Sequence, residues 1–205
     1  MLKQLVRYSK TKRASVTHFT IAKGTGVRPK EIVSAMNRNI KLIARAGSID
    51  HEKIKRMGAL QDHTMLNMDQ AIIVIDAINK KGRMDGFKKV LLEQFETMNA
   101  WIAIRMAVSH NHNKMKLAVI DYNAIAKANG STRSHPMREA QLISYVVNGH
   151  RLKANRDYMS HGELDLMNRM IIKNTEWLLS GGAYETRKMA LIGSIDAIRN
   201  NYGHE

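Results

Sequence analysis

Cysteine is absent from this 205-residue chain and proline occurs only twice. These absences exclude a disulfide scaffold, thiolate-held zinc and collagen-like composition. Long apolar runs are missing too. Ala71-Ile72-Ile73-Val74-Ile75 is among the longest stretches, so no segment reads as a transmembrane helix. The opening Met1-Leu2-Lys3-Gln4-Leu5-Val6-Arg7 has neither an uninterrupted apolar core nor a small-residue cleavage site. A secretory leader is therefore not expected, and a cytoplasmic location is. Acidic residues are scarce: 18 Asp and Glu face 33 Lys and Arg, giving a net charge of +15 and an isoelectric point near 10.1. The remainder is of globular composition, 44% hydrophobic and 25% charged, with length for one or two domains. Such a protein is expected to sit beside something acidic, and nucleic acid is the first candidate.

The positive charge is concentrated. Residues 1–60 hold 14 Lys and Arg against Glu31, Asp50 and Glu52, a net +11, which leaves +4 of the total +15 for the other 145 residues. Charge of one sign gathered in this way suits a phosphate-binding face, because each neutralised phosphate releases counterions. Attachment to a membrane surface would call for a basic amphipathic helix with bulky apolar anchors, and Lys10-Thr11-Lys12-Arg13-Ala14-Ser15 has none.

Inside the basic region, Thr17 to Ile40 has the spacing of a helix-turn-helix. Ala22 is small where two helices must cross closely. Gly26 follows four residues later, where the turn needs a left-handed backbone. Val27 would plug the angle between the helices, and Pro29 suits the first turn of the second. Ile32, Ala35, Met36, Ile40 and Ile43 form an inward stripe. The outward residues of the second helix are then Lys30, Ser34, Asn37, Arg38 and Lys41. Ser34 and Asn37 are of the type that contacts base edges. Thr25, Arg28, Arg38 and Lys41 are of the type that grips phosphate. Lys10, Lys12 and Arg13 precede the first helix as a basic arm. Gly24-Thr25-Gly26 lacks the Gly-Lys-Ser/Thr ending of a nucleotide-binding loop and is not read as one.

Beyond Ala46-Gly47, residues 50–57 read as a short basic helix or loop, and 58–67 as a strand or strand pair that would form a wing. Asp69 is expected to cap a helix to about Lys80 that buries Ile72, Ile73, Ile75 and Ile78. A turn at Lys80-Lys81-Gly82-Arg83 leads to a helix from about Asp85 to Val108. Its stripe of Phe87, Leu91, Phe95, Met98, Ile102 and Met106 suits intramolecular core or a subunit seam. His110-Asn111-His112 reads as a polar helix end, not as a metal pair.

From Lys114 the pattern is helical again, with a Gly cap at Gly130, a helix over Met137 to Val147, and a capping box at Ser160-His161-Gly162-Glu163. Leu164–Leu179 and Tyr184–Asn200 follow as a helical hairpin broken at Gly181-Gly182. Its core or dimer seam would hold Trp177, Leu178, Met189, Leu191, Ile192, Ile195 and Ile198. Arg133, His135, Arg138 and Arg151 lie in loops where they could meet phosphate or protein. Ser160 and His161 are adjacent and cannot form a nucleophile–base pair unaided, and no carboxylate set has a metal signature.

The expected fold is therefore mainly α: a basic, winged helix-turn-helix domain over 1–68, linking or dimerisation helices over 69–110, and a helical C-terminal domain over 111–205. Residues about 14 to 100 resemble the Rha-type phage regulatory proteins and, more loosely, phage antirepressors. The resemblance rests on IAKGTGVRPKEIVSAMNRNI followed by a short strand and HTMLNMDQAIIVIDAINKKGRMDGFKKVLLEQFETM. It covers less than half the chain, which departs from the pattern in having few aromatic residues after the wing. It implies a phage or prophage regulator acting in a bacterial host cell. The resulting expectation is a non-enzymatic transcriptional regulator without cofactor or metal. It would bind double-stranded DNA, as a dimer where two half-sites are read. Alternatives are an antirepressor that captures a repressor protein through the C-terminal half, and a metal-dependent nucleic-acid enzyme.

Overall fold

The computed structural model describes residues 4–9, 11–56, 59–79, 82–128, 132–150 and 155–202. Among these the chain is mainly helical, with one small four-stranded sheet. It divides into two compact units, Met1–Ile102 and Ala103–Glu205, and the helix Asp85–Ala128 contributes to both.

The first unit opens with β1 (Arg7–Tyr8) and β2 (Ala14–Thr17), an antiparallel pair in the register Arg7↔Ser15. β2 runs directly into α1 (His18–Thr25), because the last residue of the strand, Thr17, accepts the Thr20 N–H at 3.0 Å and so caps the helix. Gly26 stops α1 with φ +70, a left-handed conformation that costs glycine nothing. After this turn α2 runs over Pro29–Arg38 with proline in its first turn. Asn39 ends α2 by donating its side-chain amide to the Ala35 carbonyl at 2.9 Å, and α3 (Ile40–Arg45) follows as a separate short helix.

Next comes an antiparallel hairpin, β3 (Asp50–Arg56) and β4 (Ala59–Leu66), paired from Asp50↔Met65 to Arg56↔Ala59. β4 also pairs with β2 through Val16↔Leu66, so the strand order is β1-β2-β4-β3 with the α1–α3 segment inserted between β2 and β3. α4 (Met68–Ile78) starts on a capping box between Asn67 and Gln70. Both residues also reach across the unit. Asn67 donates to the Ala46 carbonyl, and the fully buried Gln70 amide meets the Ile43, Gly47 and Ser48 carbonyls at 3.0–3.2 Å. One core then gathers Val16, Ile21, Ala22, Ile32, Met36 and Ile43 with Leu66, Val74, Ile75, Leu91 and Phe95.

The second unit holds the rest of α5 (Asp85–Ala128), then α6 (Pro136–Asn148), α7 (His161–Leu179) and α8 (Tyr184–Tyr202). The Ser160–Glu163 capping box opens α7 as its sequence predicts. Val119, Ile143, Leu164, Met170, Leu178 and Leu191 fill its interior. Through this apolar interior runs a polar network. Arg187 donates to Glu139 at 2.6 and 2.9 Å, to Asn174 at 2.7 Å and to the Gly182 carbonyl at 2.9 Å. Asn174 and Ser134 add further hydrogen bonds to the same carboxylate.

Several expectations are corrected here. Residues 50–56 form a strand, because His51, Lys53 and Lys55 are exposed while Glu52 and Ile54 are half-buried, a period of two. The cap of α4 is Asn67, not Asp69, and Ile72, Ile73 and Ile78 are half-buried while Val74 and Ile75 are fully inside. The break expected near residues 109–114 does not occur: α5 continues through His110 and His112. Ile40, Met106 and Met189 lie outside the core, at 44%, 65% and 65% exposure. The cap expected at Gly130 falls outside the described residues, as do Lys80, Lys81 and Arg151. Ile198 falls there too as regards its side chain.

Candidate nucleic-acid interface

α2 has two faces with different work to do. At about 100° per residue, the buried Ile32, Ala35 and Met36 share one side, and the exposed Lys30, Ser34 and Asn37 fall on the opposite side. Ile32 and Ala35 are at 0% exposure, so the inward face fixes the rotation of the helix. Val33 is 39% exposed beside the polar row and supplies an apolar contact there. The half-buried Val27 packs against the core at the turn between α1 and α2.

The remaining predicted residues are placed as follows. Arg28 caps α2 without a side-chain capping bond and pairs with Glu31 at 2.6 Å; both are exposed, so a phosphate can displace the carboxylate at little cost. Arg38 closes α2 and is exposed. Lys41 is exposed on α3, beyond the Asn39 break, and does not continue the α2 row. Thr25 gives its hydroxyl proton to the Ile21 carbonyl at 2.7 Å, so it finishes α1 and has no proton left for a phosphate. Lys12 and Arg13 form a tight turn between β1 and β2 in place of a free arm. Lys12 has φ 61, its N–H bonds the Ser9 carbonyl, and the neighbouring Thr11 hydroxyl bonds Asp50 at 2.9 Å. Lys10 lies outside the described residues.

The β3–β4 hairpin adds cations that the sequence reading did not include. Lys53 and Lys55 are exposed on one face, opposite Asp62 and Leu60 in the register, and Leu60 is itself 69% exposed. The alternation in Asp50-His51-Glu52-Lys53-Ile54-Lys55 was the available signal for them. At the base of the hairpin, His18 and His63 are both buried, with Phe19 between them at 4.1 and 4.7 Å centroid distances. Burial, and then the neighbouring His63, hold the His18 imidazole below its ordinary value of 6.5, and its Nδ1 accepts the Thr64 N–H at 3.1 Å.

In the second unit, His135 caps α6 and Arg133 and Arg138 are exposed near its start. Among the described residues no three His, Asp or Glu side chains gather in a group able to hold a metal ion. No described helix is long and apolar enough to cross a membrane. Comparison of the chain with protein-family models, curated proteins and solved structures finds no match.

Proposed function

We propose that the chain is a double-stranded-DNA-binding regulator whose first unit is a winged helix-turn-helix. The observation that carries this reading is the outward row Lys30, Ser34, Asn37 on α2, set directly opposite the buried Ile32, Ala35 and Met36. α1 and the Gly26 turn brace this helix, and the β3–β4 hairpin after it, joined through β4 to β2, supports the winged form. α2 would enter a major groove, with Ser34 and Asn37 at base edges and Lys30, Arg28 and Arg38 on phosphates. Lys53 and Lys55 on the hairpin, with Lys12 and Arg13, would extend the phosphate contacts. The resemblance of residues about 14 to 100 to phage regulators agrees with this role.

A dimer reading two half-sites is the assembly this reading favours, and the exposed Met106, Leu117 and Ile120 of α5 supply apolar surface for it. Capture of a repressor protein is the second reading; Met137, Leu179 and Met189, each more than half exposed, favour it.

The test is duplex binding by the full chain at several salt concentrations. The expected result is a steep fall of affinity with salt. Arg38→Gln and Lys53→Gln should each lower the log–log slope by about 0.9, one phosphate contact apiece. Ser34→Ala and Asn37→Ala should reduce sequence preference while leaving the slope unchanged. A shallow slope untouched by these variants, together with tight capture of a repressor, would select the second reading.

A further inference from the structure

The second unit contains a cleft of about 550 Å³ where α6 and α8 begin, with Tyr122, Arg133, Ser134, Arg138 and Tyr184 in its lining. That volume falls in the ordinary range for small-molecule sites.

The charged groups around the cleft are in different states. Arg187 is 1% exposed and four of its five N–H groups are taken by Glu139, Asn174 and the Gly182 carbonyl, so it chiefly builds the wall. Glu185 is the acidic residue of the lining, and Lys188 meets its carboxylate at 3.5 Å. Arg133 and Arg138 remain. Both are exposed, and neither forms an ion pair among the described residues. The Arg138 guanidinium lies 3.7 Å from the centroid of the Tyr184 ring. Stacking occupies its flat face, restrains the long side chain, and leaves its N–H edge available for a bidentate oxyanion. Ile125, Ala126 and Ala183 supply an apolar wall beside these cations.

We propose that this cleft binds a small organic anion: a carboxylate or phosphate held by Arg133 and Arg138, joined to a planar or apolar body lying against Tyr122 and Ile125. The two guanidiniums offer fork geometry, which suits both oxyanions. The proposal uses residues of the second unit alone and does not rest on the DNA-binding reading.

The full chain is titrated by calorimetry at fixed ionic strength with adenosine 5′-monophosphate and with benzoate, using adenosine and benzamide as uncharged counterparts. One anion is expected to bind at a single site per chain, at least about tenfold more tightly than its uncharged counterpart, as loss of charge-assisted hydrogen bonds implies. The arm that binds identifies phosphate or carboxylate. Arg133→Gln and Arg138→Gln should each weaken binding about tenfold or more, and Arg138→Lys should recover only part of it, since it restores charge without the fork. Arg38→Gln, on α2, should leave it unchanged. Equal loss in Arg38→Gln would mean unspecific attraction to a basic chain and would overturn the proposal. So would insensitivity to both cleft variants, equal binding of the uncharged compounds, or no heat with either anion. Arg133 is exposed in the loop before α6, so its variant retains the fold and decides the matter alone if Arg138→Gln unfolds.

Discussion

Glu139 and Arg187 are the side chains on which the second unit depends most, because both are charged and almost wholly inside. Burial pushes the Glu139 carboxyl up, but hydrogen bonds from Arg187, Ser134 and Asn174 outweigh it, so the group titrates below its ordinary value of 4.5. A carboxyl depressed in the folded state stabilises the fold above its unfolded pKa. That contribution is lost as the pH falls from 4.5 through the lower folded value. Glu139→Gln strands a buried guanidinium and should cost about 3–5 kcal/mol in urea denaturation. Glu139→Gln with Arg187→Met should cost less than Glu139→Gln alone, since it removes the stranded charge. The sequence did carry a trace of this pair. Glu139 lies three and four residues before Leu142 and Ile143, and Arg187 four before Leu191, which puts each charge on an apolar stripe. Their pairing across 48 residues of chain was not legible, because no local period links them.

His18 gives the first unit a pH dependence of its own. Its folded pKa is lowered, so the unfolded chain takes up the proton first as pH falls. Stability should therefore decline from about pH 6.5 downward and level off below the folded value. Thermal melts of the wild type and His18→Gln between pH 5 and 7.5 check this. An equal slope in the two proteins would assign the dependence to another group.

Among the elements, α1 illustrates two different demands for glycine. Gly26 meets nothing within 4 Å of where a Cβ would sit, so Gly26→Ala should cost only the left-handed backbone, about 1–2 kcal/mol. Gly24 has ordinary helical geometry, but a Cβ there would fall 2.0 Å from the Phe87 ring of α5. Gly24→Ala must displace that ring and should cost about 1–3 kcal/mol, beyond the helix propensity gained. In a Phe87→Leu background the same change should become neutral or stabilising, a coupling that chemical denaturation of the four proteins measures.

The helix pair itself was readable because each feature is local: Ala22, Gly26, Val27 and Pro29 lie within eight residues. The long helix was not. Ser109-His110-Asn111-His112-Asn113-Lys114 reads as a helix end by polarity, yet it contains neither glycine nor proline to stop the backbone. Its polarity is answered from elsewhere in the fold, with Asn111 bonding Asn168 of α7 at 2.8 Å. Local composition could not reveal that partner. The hairpin was half legible for a related reason: 50–56 alternates correctly, but its basic residues outnumber the apolar ones that usually reveal a strand.

For the whole molecule, the uneven division of charge is the controlling quantity. A net +11 of the total +15 sits in residues 1–60, so long-range attraction to a polyanion should act mainly through the first unit. The rate of association with duplex DNA should accordingly fall steeply as salt rises. Lys53→Gln with Lys55→Gln should slow association measurably more than Lys114→Gln with Lys116→Gln, which removes equal charge from α5 in the second unit. Stopped-flow measurements at low salt separate the two, and equal slowing would contradict the assignment of the binding face.

The rotation of α2 is set by Ile32, Ala35 and Met36, while Lys30, Ser34 and Asn37 point away from everything that sets it. Support and vocabulary are thus carried by different letters of one ten-residue word. Three outward letters can be rewritten together with little change in melting temperature, so, on the proposed DNA-binding reading, a new sequence preference would be within reach of a few substitutions that the scaffold does not register.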